Sequence, residues 1–530
     1  MSLPSQPAYL TLHGHFYQPP RENPWTDEIE IQPDAKPFHD WNERVLHECY
    51  LPNTVVRIPG SAGKGVETVN NFELLSFNVG PTLLRWLERK HPEVYQKILE
   101  ADRQSLGQRA GHGNAIAQVY NHMILPLASE RDQRTQIRWG IFDFKKRFGR
   151  DPEGMWLPET AANERTLEIL MEEGIRFTVL APEQAEKIRP LPPTENSGWQ
   201  EVSGGSIDPS RPYRFFHSKD SSKWIDLFFF DGPISRDVSF GDLLSDGEKF
   251  LKRILDARHP ERSHPELIHA ACDGETFGHH KKSGDGTVSF LLARSAREAG
   301  FRVTNYGEYL EKFPPEFEVK IQPGEGTSWS CPHGVGRWKE NCGCQSGDGA
   351  GWNQKWRKPL RRAVRFLGEK TDLLYEEEGR NFFKDPWAAR DDSIQLILDD
   401  SLASQKEFFE KHAPKPLSKE EKIKALKLLE MERFAMLAET SCGWFFNDLS
   451  GIETVQILRY ACRSLELAAE WGALRLARQP LAAATGQTWD LGGLETEFVR
   501  LLASAKSNRP EYGDGQKIWE KLVKPARLIW

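Results

Sequence analysis

Nowhere does the chain run to about 18 consecutive apolar residues, the length a membrane-spanning helix requires, so no membrane span is expected. Basic residues do not dominate either: 70 Lys and Arg stand against 77 Asp and Glu, a formal net charge of -7. A protein that neutralises phosphates needs the opposite balance, and nucleic acid is excluded as an expected partner. Cysteine is scarce, seven in 530 residues, and an odd number spread thinly argues against a disulfide framework. The opening "MSLPSQPAYLTLHGHFYQPP" lacks a basic segment followed by an apolar one, so no secretory leader is expected. These absences together lead to the expectation of a soluble, cytoplasmic protein. What the chain has in quantity is tryptophan, 17 residues, a side chain whose flat apolar face suits both protein cores and sugar rings.

Short apolar runs alternate with amphipathic stretches through the first 310 residues. "AYLTLHGH", "EGMWLPE", "RFTVLAP", "WIDLFFFDG" and "ELIHAACDG" read as strands. Between them "VGPTLLRWLERKHPEVYQKILE", "NERTLEILMEEGI" and "SDGEKFLKRILDARH" read as helices. That alternation predicts βα units around a parallel sheet, in the α/β class. Residues 311–352 are rich in Gly, Pro and Cys and read as an irregular linker or small module. From 353 to 530 the chain reads as helical, with Val455, Leu458, Cys462, Leu465 and Ala469 on one stripe.

Functional residues in βα architectures gather where strands end. Four strand ends carry unusual polarity: "LHGHFYQPP" with His13, His15 and Gln18; "GHGNAIAQVYNH" with His112, Asn114, Gln118 and His122; "GMWLPETA" with Trp156 and Glu159; and "HAACDGETFGHH" with Asp273, Glu275, His279 and His280. A single strand-end acid is more often a helix cap than a catalyst. Four such ends on one face predict a site, and a pair of carboxylates flanked by imidazoles and aromatics suits cleavage of a glycosidic bond.

"HGHFYQP", "GMWLPETA" and "ACDGETFGHH", in this order, resemble motifs of glycoside hydrolase family 57. The resemblance implies an incomplete (β/α)7 TIM-like barrel over residues 1–310 and a mainly α-helical C-terminal region that closes over the cleft. It implies a retaining glycoside hydrolase or transglycosylase acting on α-glucans, of the α-amylase or 4-α-glucanotransferase type, with no cofactor required. By motif, Glu159 matches the nucleophile and Asp273 the general acid/base, while His13 and His15 match histidines lining the donor sugar. "ISRDVSF" is similar to a segment near the family's cleft, which makes Arg236 and Asp237 candidates for binding substrate. "AETSCGWFFNDLSGIETVQILRYA" resembles the family's helical fifth motif, with Trp444 as a stacking platform. Two departures stand out: Phe16 and Tyr17 separate His15 from Gln18, and "GHGNAIAQ" replaces the usual acidic second motif.

Two rival functions fit parts of the pattern. A metal-dependent carbohydrate deacetylase would use His13, His15, Asp273 and His279 as zinc ligands. A non-catalytic glucan-binding protein would keep the cleft without the chemistry. Separately, "CPHGVGRWKENCGC" offers Cys331, His333, Cys342 and Cys344, a donor set suited to structural zinc. The other reading of that loop has reduced thiols bordering the cleft, with His333, Arg337 and Trp338 meeting sugar.

Overall fold

A computed structural model describes residues 7–60, 65–193, 197–347, 349, 351–478 and 493–528. The chain forms two compact units. One comprises residues 1–18, 31–120 and 143–332, the other residues 19–30, 121–142 and 333–530. These boundaries differ from the expected ones at 310 and 352: two early segments belong to the second unit, and the stretch 311–352 is shared. That stretch is also less irregular than its composition predicts, since Phe317–Ile321 is a strand paired with Ala185–Pro190. No helix among the described residues is long and apolar enough to cross a membrane.

Among the described residues seven strands of the first unit follow one another in parallel: β1 (Ala8–Phe16), β2 (Ser76–Val79), β3 (Ala117–Gln118), β4 (Met155–Trp156), β5 (Phe177–Leu180), β6 (Trp224–Phe229) and β7 (Glu266–Asp273), and the two residues Arg302–Val303 also pair parallel with the start of β1. Parallel pairing links β7 to β1, β1 to β2, β3 to β4 and β5 to β6. Single parallel bridges, Phe77 to Ala115 and Gly154 to Phe177, supply the remaining neighbours. Past β6, the Asp231 amide donates to the His269 carbonyl of β7 at 2.9 Å. Every residue of β1 is buried, as expected of a parallel strand covered on both faces.

Helices follow the strands as the sequence pattern predicts. The stretch after β2 is two helices, α1 (Pro81–Lys90) and α2 (Pro92–Gln108). Pro92 lacks an amide hydrogen and disfavours helical geometry at His91, so one helix ends there and a second starts. Asn163 caps α3 (Glu164–Glu172) through the Thr166 amide, which leaves Glu159 free of the capping role a strand-end acid commonly takes.

The second unit is helical after Trp352. Helices α4 (Arg357–Gly379), α5 (Lys419–Leu437) and α6 (Ile452–Arg478) pack on one another. Four of the five stripe residues on α6 are buried, and Ala469 is exposed. Ser418 and Glu421 form a reciprocal capping box that fixes where α5 begins.

A charged cluster lies inside this unit. The guanidinium of Arg390, 1% exposed, sits 2.9 Å from both Asp132 and Glu432 and 3.5 Å from Asp372. Removing the cation strands three carboxylates around a dry centre. Arg390→Met is expected to cost about 3–5 kcal/mol in urea unfolding at pH 8. The loss should shrink at pH 5, where protonation relieves the repulsion.

Candidate active site

The register of β1 against its two neighbours assembles the centre of the site. His13 pairs with Ser76 and His15 with Asn78 on one side, while His15 pairs with Asp273 on the other. The first motif and the acid of "ACDGETFGHH" are therefore adjacent at the carboxyl ends of β1 and β7. Gly274 follows the acid because a Cβ there would fall 2.4 Å from the Phe16 ring.

Asn78 organises the imidazoles. Its Oδ1 accepts from His13 Nε2 at 3.0 Å, and its Nδ2 donates to His15 Nδ1 at 2.8 Å and to Gln118 Oε1 at 2.6 Å. Ser76 Oγ lies 3.0 Å from His13 Nδ1. With both nitrogens satisfied by neutral partners and no water around it, His13 is held neutral: burial first, then the nearby His269, outweighs the Asn78 bond and lowers it to about 3. The orientation of the Asn78 amide puts the His15 proton on Nε2. Trp156 lies beneath both rings, stacked 4.7 Å from His13 and 5.2 Å from His15.

Glu159 is delivered by a strained turn. Pro158 follows β4 by two residues, and the next two, Glu159 (φ 58°) and Thr160 (φ 51°), are both left-handed. Each such non-glycine conformation costs about 1–3 kcal/mol and persists only where surroundings impose it. Here Gln184 Nε2 donates to the Thr160 carbonyl at 2.9 Å, and the Trp329 amide donates to the Glu159 carbonyl at 3.0 Å. The Glu159 carboxylate is held as well. Its Oε2 accepts from Trp329 Nε1 at 2.9 Å and from Ser330 Oγ at 2.5 Å.

Asp273 is the one residue of β7 that water reaches. Although the residue is exposed, neighbouring protein displaces part of the water around its carboxyl, the larger cause that raises it to about 7; the negative charge of Glu159 is the second. Behind it, Glu275 is buried and accepts from the Tyr50 hydroxyl at 2.6 Å and the Tyr17 amide at 2.9 Å. Burial pushes Glu275 up to about 8, the Tyr50 bond holds it back, and the Asp273 charge adds to the rise. Gln18 is half-buried and hydrogen-bonds Tyr50. His279 pairs with Glu48 and meets the edge of Trp41.

Several expected contacts need correction. His112 sits at the amino side of β3 and β4, bonded to Glu153 at 2.9 Å and Glu311 at 2.8 Å, at the end opposite Glu159. Parallel strands put their functional loops at the carboxyl ends, and His112 precedes β3 rather than following it. His13 and Trp156 are wholly buried and serve as a floor, leaving His15 nearer the surface. In the second unit Trp338 and Trp444 are both 0% exposed, and the Arg361 guanidinium covers Trp444 at 3.9 Å, so neither offers a face to a sugar. Arg337, 5% exposed, donates to the Phe445 carbonyl and stacks on its ring. Asp237 pairs with Arg253, and Arg236 is exposed on the helix Gly232–Phe240. The zinc ligands expected of a deacetylase do not gather, because among the described residues His13, His15, Asp273 and His279 form no group of converging donor atoms.

Asn78, Tyr50, Trp329 and Ser330 were invisible to motif reading. Asn78 lies in an apolar strand, and Trp329 and Ser330 lie far along the chain from the acid they bind. The one available sign was "SWSC", polar and aromatic residues set directly against the cysteine loop.

Comparison with known proteins converges on one family. The profile of glycosyl hydrolase family 57 matches residues 9–322, and residues 352–529 match a domain of unknown function (DUF3536). The chain is 21% identical over 266 residues to an α-amylase of Pyrococcus abyssi, covering 49% of this chain and 36% of that protein. It is 23% identical over 282 residues to a 4-α-glucanotransferase of Thermococcus litoralis, covering 50% and 38%. The matched stretches thus span under two fifths of those two relatives. Among solved structures, a maltose-forming amylase from Pyrococcus sp. ST04 superimposes with a TM-score of 0.64 at 14% identity, over 98% of this chain and 94% of that one. A branching enzyme from Pyrococcus horikoshii gives 0.57 at 16%, over 93% and 94%. At such identities the structural likeness speaks for the fold, and the profile match over more than half of the chain speaks for descent: this chain belongs to glycosyl hydrolase family 57.

Proposed function

We propose that the chain is a retaining enzyme acting on α-glucans, with Glu159 as nucleophile and Asp273 as general acid/base. The supporting observation is the pairing of the two acids: both lie at carboxyl ends of parallel strands, and Asp273, raised to about 7 chiefly by desolvation, is raised further by the charge on Glu159. The seven parallel strands support reading the first unit as the incomplete (β/α)7 barrel of the family.

In this reading Glu159 attacks the anomeric carbon as Asp273 gives its proton to the departing glycosidic oxygen. The C–O bond to the leaving sugar breaks as the Glu159–glycosyl ester forms. Asp273, now ionised, then takes a proton from water or from an acceptor hydroxyl that displaces Glu159. The two donors on Glu159 Oε2 hold that acid aimed, and the raised carboxyl of Asp273 keeps the other acid partly protonated near neutrality. Retention requires carboxyl groups about 5–5.5 Å apart, close enough for the mutual effect on their titration. The relatives named as an α-amylase and a 4-α-glucanotransferase favour glucans as substrate.

Amylose, maltooligosaccharides and galactosides incubated with the protein are expected to yield new α-glucan fragments from the first two only. Proton NMR of the earliest product should show the α-anomer; a β-anomer would make the enzyme inverting. Glu159→Gln is expected to lower kcat by about 10³-fold or more, and an undiminished rate would remove Glu159 from its role.

Because Asp273 must be protonated to donate, kcat/KM should fall about tenfold per pH unit above pH 7. Stability carries an imprint of the same sign at lower pH. A carboxyl raised from 3.8 to about 7 on folding loses stability as pH rises through that window. Asp273→Asn should therefore raise Tm at pH 8 and leave it nearly unchanged at pH 4.

Trp329→Phe deletes one donor to the nucleophile and should cost about 10–100-fold in kcat, with a smaller change in KM.

A further inference from the structure

The residues that hold Glu159 continue directly into the cysteine loop. Trp329 and Ser330 bond the carboxylate, Ser328 and Cys331 are bridged by backbone, and Cys331 is the next residue in the chain. From there the stretch runs through His333 to Cys342 and Cys344. The donor atoms of Cys331, His333, Cys342 and Cys344 all lie within 4.8 Å of one another. Among the described residues no other group of three or more histidine, cysteine or acidic side chains converges in this way.

The geometry suits one tetrahedral ion. At Zn–S of 2.3 Å and Zn–N of 2.0–2.1 Å, a sulfur and a nitrogen ligand should be about 3.6 Å apart. Cys344 Sγ and His333 Nδ1 are separated by 3.5 Å. In an extended chain two thiols with one residue between them share a face but sit about 6.5 Å apart, too far to reach one ion without strain. Gly343 removes that strain with a left-handed φ of 87°, which turns the chain between Cys342 and Cys344.

The surroundings complete the charge balance. Three thiolates and one Zn²⁺ leave a charge of -1, and the buried guanidinium of Arg357 stands beside them. Its Nη1 donates to Cys342 Sγ at 3.8 Å and to the Cys344 carbonyl at 3.0 Å, the outer contacts that orient metal ligands. The competing use of this loop for sugar is disfavoured by the burial of Arg337 and Trp338. No disulfide consumes any of the seven cysteines.

We infer that Cys331, His333, Cys342 and Cys344 bind one structural zinc ion, which anchors the segment Trp329–Ser330 against the carboxylate of Glu159. The ion takes no part in bond cleavage. It fixes the start of the loop whose preceding two side chains restrain the acid. The metal site stands independently of the proposed reaction; only its effect on turnover rests on Glu159 being the nucleophile.

The full chain, produced in zinc-supplemented medium and purified without chelator, is expected to carry about one zinc per chain by elemental analysis. Cys342→Ser and His333→Ala should each lower this at least fivefold, while Cys442→Ser, outside the cluster, should leave it unchanged. Should the variants fold poorly, the unaltered protein serves: a mercurial thiol reagent should release about one zinc per chain to a chromogenic chelator. Less than about 0.1 zinc per chain, or a Cys342–Cys344 disulfide in peptide mapping, overturns the site. Where zinc is present, its removal should lower kcat on maltooligosaccharides at least tenfold, and returning it should restore the rate. Zinc bound and then removed with no change in kcat overturns the anchoring of Trp329 and Ser330 while the metal site stands. An inactive but zinc-loaded protein instead refutes the reaction proposed for Glu159.

Discussion

Two carboxylates placed so that each feels the other's charge constrain everything around them. Left in water, Glu159 and Asp273 would both ionise below neutrality and repel. Asp273 instead rises to about 7, driven by desolvation and then by its neighbour. Such an arrangement costs free energy and must be held from outside. On one side the hold comes from Trp329, Ser330 and Gln184, on the other from the long pairing of β7 with β1. The left-handed backbone at positions 159 and 160 belongs to the same logic, strain concentrated where a side chain must point in one direction.

The parts most legible in the sequence were those that declare themselves locally. β1, β4, β6 and β7 are apolar runs of strand length, and the break between α1 and α2 is written in a proline. The two acids were legible because each ends such a run beside aromatic or glycine residues. The C-terminal helices were visible from their stripe, since Leu458 and Cys462 are buried at helical spacing.

What the sequence concealed was partnership at long range. A tryptophan reads the same whether it lies on a sugar or inside a core, so Trp338 and Trp444 passed for platforms when both are interior. His112 looked like a strand-end residue but belongs to the opposite end, a distinction that depends on where a two-residue strand begins. Asn78 sits in a hydrophobic strand and gives no local sign that two imidazoles depend on it. The unit boundaries were hidden for the same reason: residues 19–30 and 121–142 associate with a part of the chain hundreds of positions away.

The amide of Asn78 both gives and accepts, its oxygen toward His13 and its nitrogen toward His15 and Gln118. Exchange that nitrogen for oxygen, as aspartate would, and the bonds toward His15 and Gln118 invert while the one from His13 stays. His15 would then have to carry its hydrogen on the inner nitrogen, leaving a bare lone pair on the outer one. A ring so turned is a base or a metal ligand where a donor had been. The difference between an imidazole that donates outward and one that accepts there is, at this position, a single heteroatom in the strand next door.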